Sequence, residues 1–449
     1  MSQQEVVQPK SILRGHSTQV HVTTFIRRNE RLASGDADGF VVLWDLTIMR
    51  PRGVWRAHTG AILGISGWGD DKVVTEGRDN RLIVWKIAAE DEAKLSTDLP
   101  LDESAPERPQ PWILHILEIN TMNFCSFAQC SPRQDVDLAA SDESLIAVPN
   151  TLATEAAQVD IFHLPSQNRL STVHLGSKTE KKGMVMALSL FWRRESLILL
   201  TGYENGLAIV ARRRHGGAWD ILYKYQAHSQ PILSLDFAPD KECFLTSAAD
   251  AIIAKHPIPD ANSSTPPVPG FKRTEESETM RDSNTSTSGS ETQPRGLPKN
   301  DSAVAAEPLK IINTKHSGQQ GLQIRSDGRI FATAGWDSKV RVYSAKTMTE
   351  LAVLKWHDVG CYAAAFSVLD VGQKHVFDNS QDKPGKSQTE EQTTALNNAI
   401  VTRYKETAMA TTSKPGELSV KDRRIKMAKE AHWLAAGSKD GKISLWDIY

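Results

Sequence analysis

Ile443-Ser444-Leu445-Trp446-Asp447-Ile448-Tyr449 is a strand-type run ending in Trp-Asp, with too little chain after it for another strand. A run of the same kind, Phe40-Val41-Val42-Leu43-Trp44-Asp45-Leu46, stands near the start. Repeats that end in Trp-Asp mark the four-stranded blades of a β-propeller. A last blade that stops after its third strand must take its fourth from elsewhere. The run Lys10-Ser11-Ile12-Leu13-Arg14 is the free candidate. The expectation is an all-β ring in which the N-terminal strand completes the last blade, so that no sheet edge is left at a seam.

Working inward from the two ends, the repeats resemble WD40 blades. In such a blade a His in the entry loop bonds towards a Ser or Thr on the second strand. A Trp on the third strand and an Asp in the turn before it complete a buried polar network. Each member needs a partner, since an unpaired buried polar group costs about 1–3 kcal/mol. Repeat one offers His16, Ser34, Asp38 and Trp44, and repeat two offers His58, Thr75, Asp79 and Trp85. Repeat four keeps Thr201 with Glu204 in the turn and Val210 read at the Trp position. Repeat five has His228, Thr246 and Asp250, with His256 for Trp; repeat six has His316, Thr333, Asp337 and Tyr343. Repeat seven has His357, Asp440 and Trp446, but Ala436 replaces the hydroxyl residue. Repeat three is read only from alternating apolar runs at 123–127, 145–148 and 159–163.

Length supports seven. Four stretches, 90–111, 131–143, 257–308 and 369–431, read as insertions. Setting aside their 150 residues leaves 299 of 449, about 43 per blade and within the range for this repeat. The third stretch is too polar to offset its ordering entropy and is expected to be disordered. The fourth is polar, with helical patterning at 395–406 and 418–429; the second of these carries Lys421, Arg423, Arg424, Lys426 and Lys429. That end reads as a solvated helix, with a basic docking or import segment as the functional alternative. All four insertions leave the ring by connections on one face. The entry-loop face is therefore expected to stay open for docking.

Composition narrows the function. A net charge of −1 with 40% hydrophobic residues does not fit a general nucleic-acid or membrane-surface binder. No window is apolar enough to span a bilayer, and the start has no signal-peptide pattern. Cys125, Cys130, Cys243 and Cys361 lack zinc-ligand pairing. No phosphate loop, His-Glu-x-x-His or Gly-x-Ser-x-Gly run is present, and no metal, cofactor or catalytic set is expected. His16, His58, His228, His316 and His357 and the turn residues Asp38, Asp79, Asp337 and Asp440 read as structural, and Arg212-Arg213-Arg214 reads as a solvated turn. Two residues are candidates for partner binding: Trp336, in a tight turn of the open face, which either anchors a partner or packs on the neighbouring blade, and Arg325, which either contacts a partner or bridges to Asp327 or Asp337.

Several segments carry a family resemblance. Residues 321–343, 351–357 and 434–449 (LAAGSKDGKISLWDIY), with 13–46, 73–87 (VVTEGRDNRLIVWKI) and 202–206, resemble the fungal ASTRA-associated protein 1 family. They are also similar to its animal relative, the guanine nucleotide-binding protein subunit beta-like protein 1. The resemblance spans nearly all blades but not the insertions. It implies a non-enzymatic subunit of the ASTRA assembly, with the Tra1-type pseudokinase, the Tel2–Tti1–Tti2 co-chaperone and the Rvb AAA+ ATPases as partners. It further implies a nuclear setting, with the cytoplasm as an additional site, and links to chromatin remodelling and to maturation of phosphatidylinositol-3-kinase-related kinases. Direct nucleic-acid or membrane binding is not expected, and the chain should be a monomer within a larger complex. The alternatives are a ubiquitin-ligase substrate receptor and a Gβ-like signalling protein, although no heptad-bearing helix precedes the first strand. Ser/Thr-Gln pairs at Thr292-Gln293, Ser380-Gln381 and Ser387-Gln388 fit the dipeptide such kinases prefer.

Overall fold

The computed structural model describes residues 7–101, 107–119, 125–150, 158–176, 180–260, 307–369 and 419–448. The chain folds as seven four-stranded antiparallel sheets, the blades of a β-propeller. In six blades the four strands follow one another in the chain, from the innermost outward. The seventh is composite. Its strands Cys361–Phe366, Trp433–Ser438 and Ile443–Asp447 are joined by Ser11–Leu13, which pairs Ser11 with Leu445 and Leu13 with Ile443. Blade seven then packs on blade one through Leu13, Val20, Leu32, Trp433 and Ile443. The ring closes as the Trp-Asp run at its end requires.

Blade one runs Val20–Ile26, Arg31–Asp36, Phe40–Asp45 and Arg50–Arg56, and its inner strands are buried on both faces. That double burial explains why Val41-Val42-Leu43-Trp44 is apolar throughout. Blade three departs from the sequence reading. Its inner strand is Ala128–Cys130, three residues long and later in the chain than 123–127, of which 123–124 lie outside the described residues. Its other strands are Ser144–Asn150, Gln158–Leu164 and Asn168–His174.

Two of the insertions lie mostly outside the described residues, so the disorder expected of 257–308, the helix at 395–406 and the three Ser/Thr-Gln pairs are not described. The basic run does form a helix, Val420–Glu430, capped by Ser419, whose hydroxyl accepts from the Asp422 N–H at 3.1 Å. It is anchored through buried Ala428, whose carbonyl accepts from Trp433 Nε1 at 2.9 Å.

The described part of the first insertion, 90–101 and 107–111, includes a strap against the ring. Ser96 bridges to Val54 on the outer strand of blade one, covering part of that edge. Leu95 enters the core between blades one and two, and Leu101 the core between blades seven and one. Buried Glu92 gathers Arg27, Arg31 and Arg52. The strap also reaches the entry-loop face, where the Leu101 N–H donates to Gly15 O at 2.8 Å and Ser17 Oγ donates to Leu101 O. The expectation that this face stays clear of insertions is therefore corrected at blade one: burying Leu95 and Leu101 carries the strap around the blade.

Candidate docking surface

The entry loops and the tight turns between second and third strands form one face of the ring, held by the blade networks. In blade two the network has the predicted members. His58 Nδ1 lies 2.9 Å from Asp79 and Nε2 2.8 Å from the Thr75 hydroxyl, which also accepts from Trp85 Nε1 at 2.8 Å. Burial pushes the Asp79 carboxyl up, but hydrogen bonds from His58 and the Thr59 N–H hold it below the usual range.

Blade one departs by one member. His16 contacts Ser34 Oγ at 2.7 Å, and Trp44 Nε1 donates to the same hydroxyl at 2.8 Å. The carboxylate partner is buried Asp36, at 2.7 Å, and not Asp38. Asp36 ends the second strand and its side chain points back at His16; it also accepts the Asp38 and Phe40 N–H groups and so builds the turn itself. Asp38 is left at the rim.

Blade five completes its network with histidines. His228 reaches Asp250 at 3.1 Å and Thr246 at 2.8 Å. His256, at the Trp position, contacts the Thr246 hydroxyl at 2.8 Å and Tyr223 of blade four at 2.8 Å. In blade seven His357 Nε2 lies 2.8 Å from Ser444 Oγ, and Trp446 Nε1 donates to that hydroxyl at 2.8 Å. Ser444 is the ladder partner of Ala436 and supplies the oxygen that Ala436 lacks. Asp440 pairs with Lys442 in the turn and makes no hydrogen bond to His357.

Blades four and six diverge. The position registered like Trp44 is Ala211, paired with Leu199, and not Val210. Tyr203 is buried in the same core as Ala211, and Glu204 accepts from the Met184 N–H at 3.1 Å. In blade six Asp337 is taken by buried Arg341, whose Nη atoms lie 3.1 and 2.6 Å away. His316 is exposed, and its Nδ1 stands 3.5 Å from Asp337, longer than the contacts of His16, His58 and His228 with their aspartates. Spacing accounts for this. His16, His58, His228 and His357 each stand four residues before their inner strand, whereas His316 stands three before Gln319. Thr333 and Tyr343 remain buried, with Thr333 registered against Arg341.

The two candidate contacts separate. Trp336 lies on the entry-loop face, 47% exposed, and its Nε1 donates to Gln320 at 2.7 Å. Its indole lies on Gly318, where φ is +76° and an added Cβ would come within 2.2 Å of the ring. Glycine is required there by both conformation and contact. Arg325 is buried in the turn between the first two strands of blade six, on the opposite face. It forks onto Asp327 at 3.1 and 2.7 Å and donates to Ile448 O at 2.8 Å. It is an internal clamp, and the partner-contact reading is withdrawn because its donors are used inside the protein.

The residues missed by pattern reading are Asp36, Ser444, Arg341 and the strap carboxylate Glu92. No group of three or more His, Cys, Asp or Glu able to hold a metal occurs among the described residues, and no helix among them is long and apolar enough to cross a membrane.

Residues 9–446 match the family model of ASTRA-associated protein 1. The chain is 48% identical to the ASTRA-associated protein 1 of Pyricularia oryzae, over 98% of this chain and 97% of the relative. The Verticillium alfalfae protein of that name is 49% identical over 99% and 94%. That of Schizosaccharomyces pombe is 32% identical over 80% and 93%.

Proposed function

The chain belongs to the ASTRA-associated protein 1 family, and we propose that it is a non-catalytic propeller subunit of an ASTRA assembly. Its partners in this reading are the Tel2–Tti1–Tti2 co-chaperone, the Rvb AAA+ ATPases and a Tra1-type pseudokinase. The setting is the nucleus, with roles in chromatin remodelling and in maturation of phosphatidylinositol-3-kinase-related kinases. One observation carries the docking role: Trp336 is a large aromatic, half in solvent, held in one orientation by Gly318 and Gln320. An anchor set before binding loses little side-chain freedom on association, and such aromatics dominate interface energetics.

The test is affinity purification of the tagged chain from nuclear extract, quantified by mass spectrometry, beside Trp336→Ala. Recovery of the named partners, reduced about ten-fold in the folded variant, supports both the assembly and the anchor. Recovery of cullin components or a γ chain instead rejects the assembly. Equal recovery by the variant moves the docking site away from Trp336.

A further inference from the structure

A groove of about 470 Å³ opens between blades one and two. It is separate from Trp336, and its reading does not depend on which assembly the propeller serves. Its apolar wall comes from Ile113 and Ile116 on the outer strand Trp112–Glu118 of blade two, facing Phe40 of blade one. These two isoleucines share a wall because the strand is bulged. His115 pairs with Val84 and Ile113 with Trp85, which leaves Leu114 as the extra residue and resets the alternation. Both are exposed, and Trp112, at the start of the same strand, is 74% exposed. So much apolar surface on an outer strand marks either an interaction site or an aggregation hazard.

The rim decides the chemistry. Arg56, Arg81 and Arg108 line the groove, and none forms an ion pair with a carboxylate among the described residues. The guanidinium groups of Arg56 and Arg108 stand 5.6 and 5.9 Å from the Phe40 ring centroid. They are placed over the apolar floor by cation–π contact. Of the two carboxylates present, Asp79 is engaged by His58 and the Thr59 N–H. Among the described lining residues that leaves Glu107 facing three arginines, with Glu118 registered against Arg81 on the neighbouring strand. An apolar wall under an arginine rim complements a segment whose large apolar side chains are flanked by carboxylates.

We propose that this groove is a second docking site, which binds an acidic segment of a partner protein through an apolar anchor seated on Ile113 and Ile116. Arg56, Arg81 and Arg108 take the flanking carboxylates.

The probe is a short synthetic peptide with Leu and Phe flanked by Asp and Glu, titrated into the full chain by calorimetry. Arg81 and Ile116 are exposed, so Arg81→Glu and Ile116→Asp are expected to fold, with the thermal midpoint as control. Saturable binding, weakened about ten-fold or more by each variant and absent with Lys in place of every acid, supports the site. The proposal is overturned if the Lys peptide binds equally, if neither variant changes affinity, or if the acidic peptide fails to bind. It is also overturned if a single-stranded oligonucleotide displaces the peptide. Concentration-dependent dimerisation abolished by Ile116→Asp would put a second copy in the groove, and that too would overturn it.

Discussion

The hydroxyl that ties histidine to tryptophan in blades one, two and seven has two possible origins, one on each side of the same ladder pair. In blade one it is Ser34, registered with Val42; in blade seven it is Ser444, registered with Ala436. Ser444→Ala should leave His357 and Trp446 without that acceptor, at a cost of about 1–3 kcal/mol in urea unfolding. Adding Ala436→Ser should recover part of the loss, because it restores the arrangement of blade one; no recovery would show that the two positions are not interchangeable. Titration of buried groups acts in two directions. Burial pushes His256 from 6.5 to about 3 and His357 to about 4. A histidine held below its unfolded value stabilises the fold above pH 6.5 and loses that contribution as the pH falls towards the folded value. Acid should therefore lower the melting temperature from pH 6.5 downward, as scanning calorimetry would record. Burial likewise pushes Glu76 from 4.5 to about 8, against the hydrogen bond from the Phe127 N–H. Its stabilising contribution is present below pH 4.5 and is lost as the pH rises through about 8. Glu76→Gln should therefore gain stability relative to the parent as the pH rises through that window. A constant difference would mean that the carboxyl does not titrate there.

At the scale of the element, the strap is held by a carboxylate that no pattern marks. Glu92 is buried with Arg27 and Arg31 around it, and Arg52 at 3.4 Å. Glu92→Ala removes the carboxylate shared by the partly buried Arg27 and Arg31, of which Arg31 keeps Asp45 at 3.8 Å, at a cost of roughly 3 kcal/mol. Limited proteolysis should then cut first within 87–111, and an unchanged cleavage pattern would show that Leu95 and Leu101 hold the strap unaided. Glu92 was illegible in the sequence because it lies in a polar run, and its main partners Arg27 and Arg31 are 65 and 61 residues away. The strands were legible for the opposite reason. Trp44, Trp85 and Trp446 recur at fixed offsets within short apolar runs, so type and order follow from local spacing. Arg325 and Asp38 show where local spacing stops being informative. Turn position indicates that a charge is near the surface, but not whether Asp327 or Asp36 has already been used inside. Ser444 and Arg341 occupy equivalent ladder positions that are ordinarily apolar, and only the register reveals that each joins or replaces a network member.

At the scale of the whole molecule, every blade buries its faces against two neighbours, so the ring is only as continuous as its seam. That seam is three residues long, Ser11–Leu13, with Leu13 buried among Val20, Trp433, Ile443 and Leu445. Because the strand comes from the opposite end of the chain, its pairing joins blades one and seven by a contact of very high sequence separation. Closing so long a loop carries a chain-entropy cost that the buried contacts of Leu13 must offset. Leu13→Asp places an unpaired carboxylate in that core, at a cost of about 3 kcal/mol or more. The matching change in the outer strand of blade six, Leu351→Asp, falls on a side chain 58% exposed and should cost within about 0.5 kcal/mol. Both substitutions add the same charge to a fourth strand, and Leu354→Asp, at a buried position of blade six, matches the burial of Leu13, so a broader transition in Leu13→Asp alone isolates the seam. Calorimetry should show one cooperative transition for the parent and for Leu351→Asp. Leu13→Asp should melt earlier and more broadly as blades seven and one part first. If both variants melt alike, the ring does not depend on its N-terminal strand, and cooperativity resides in the packing of the other six blades.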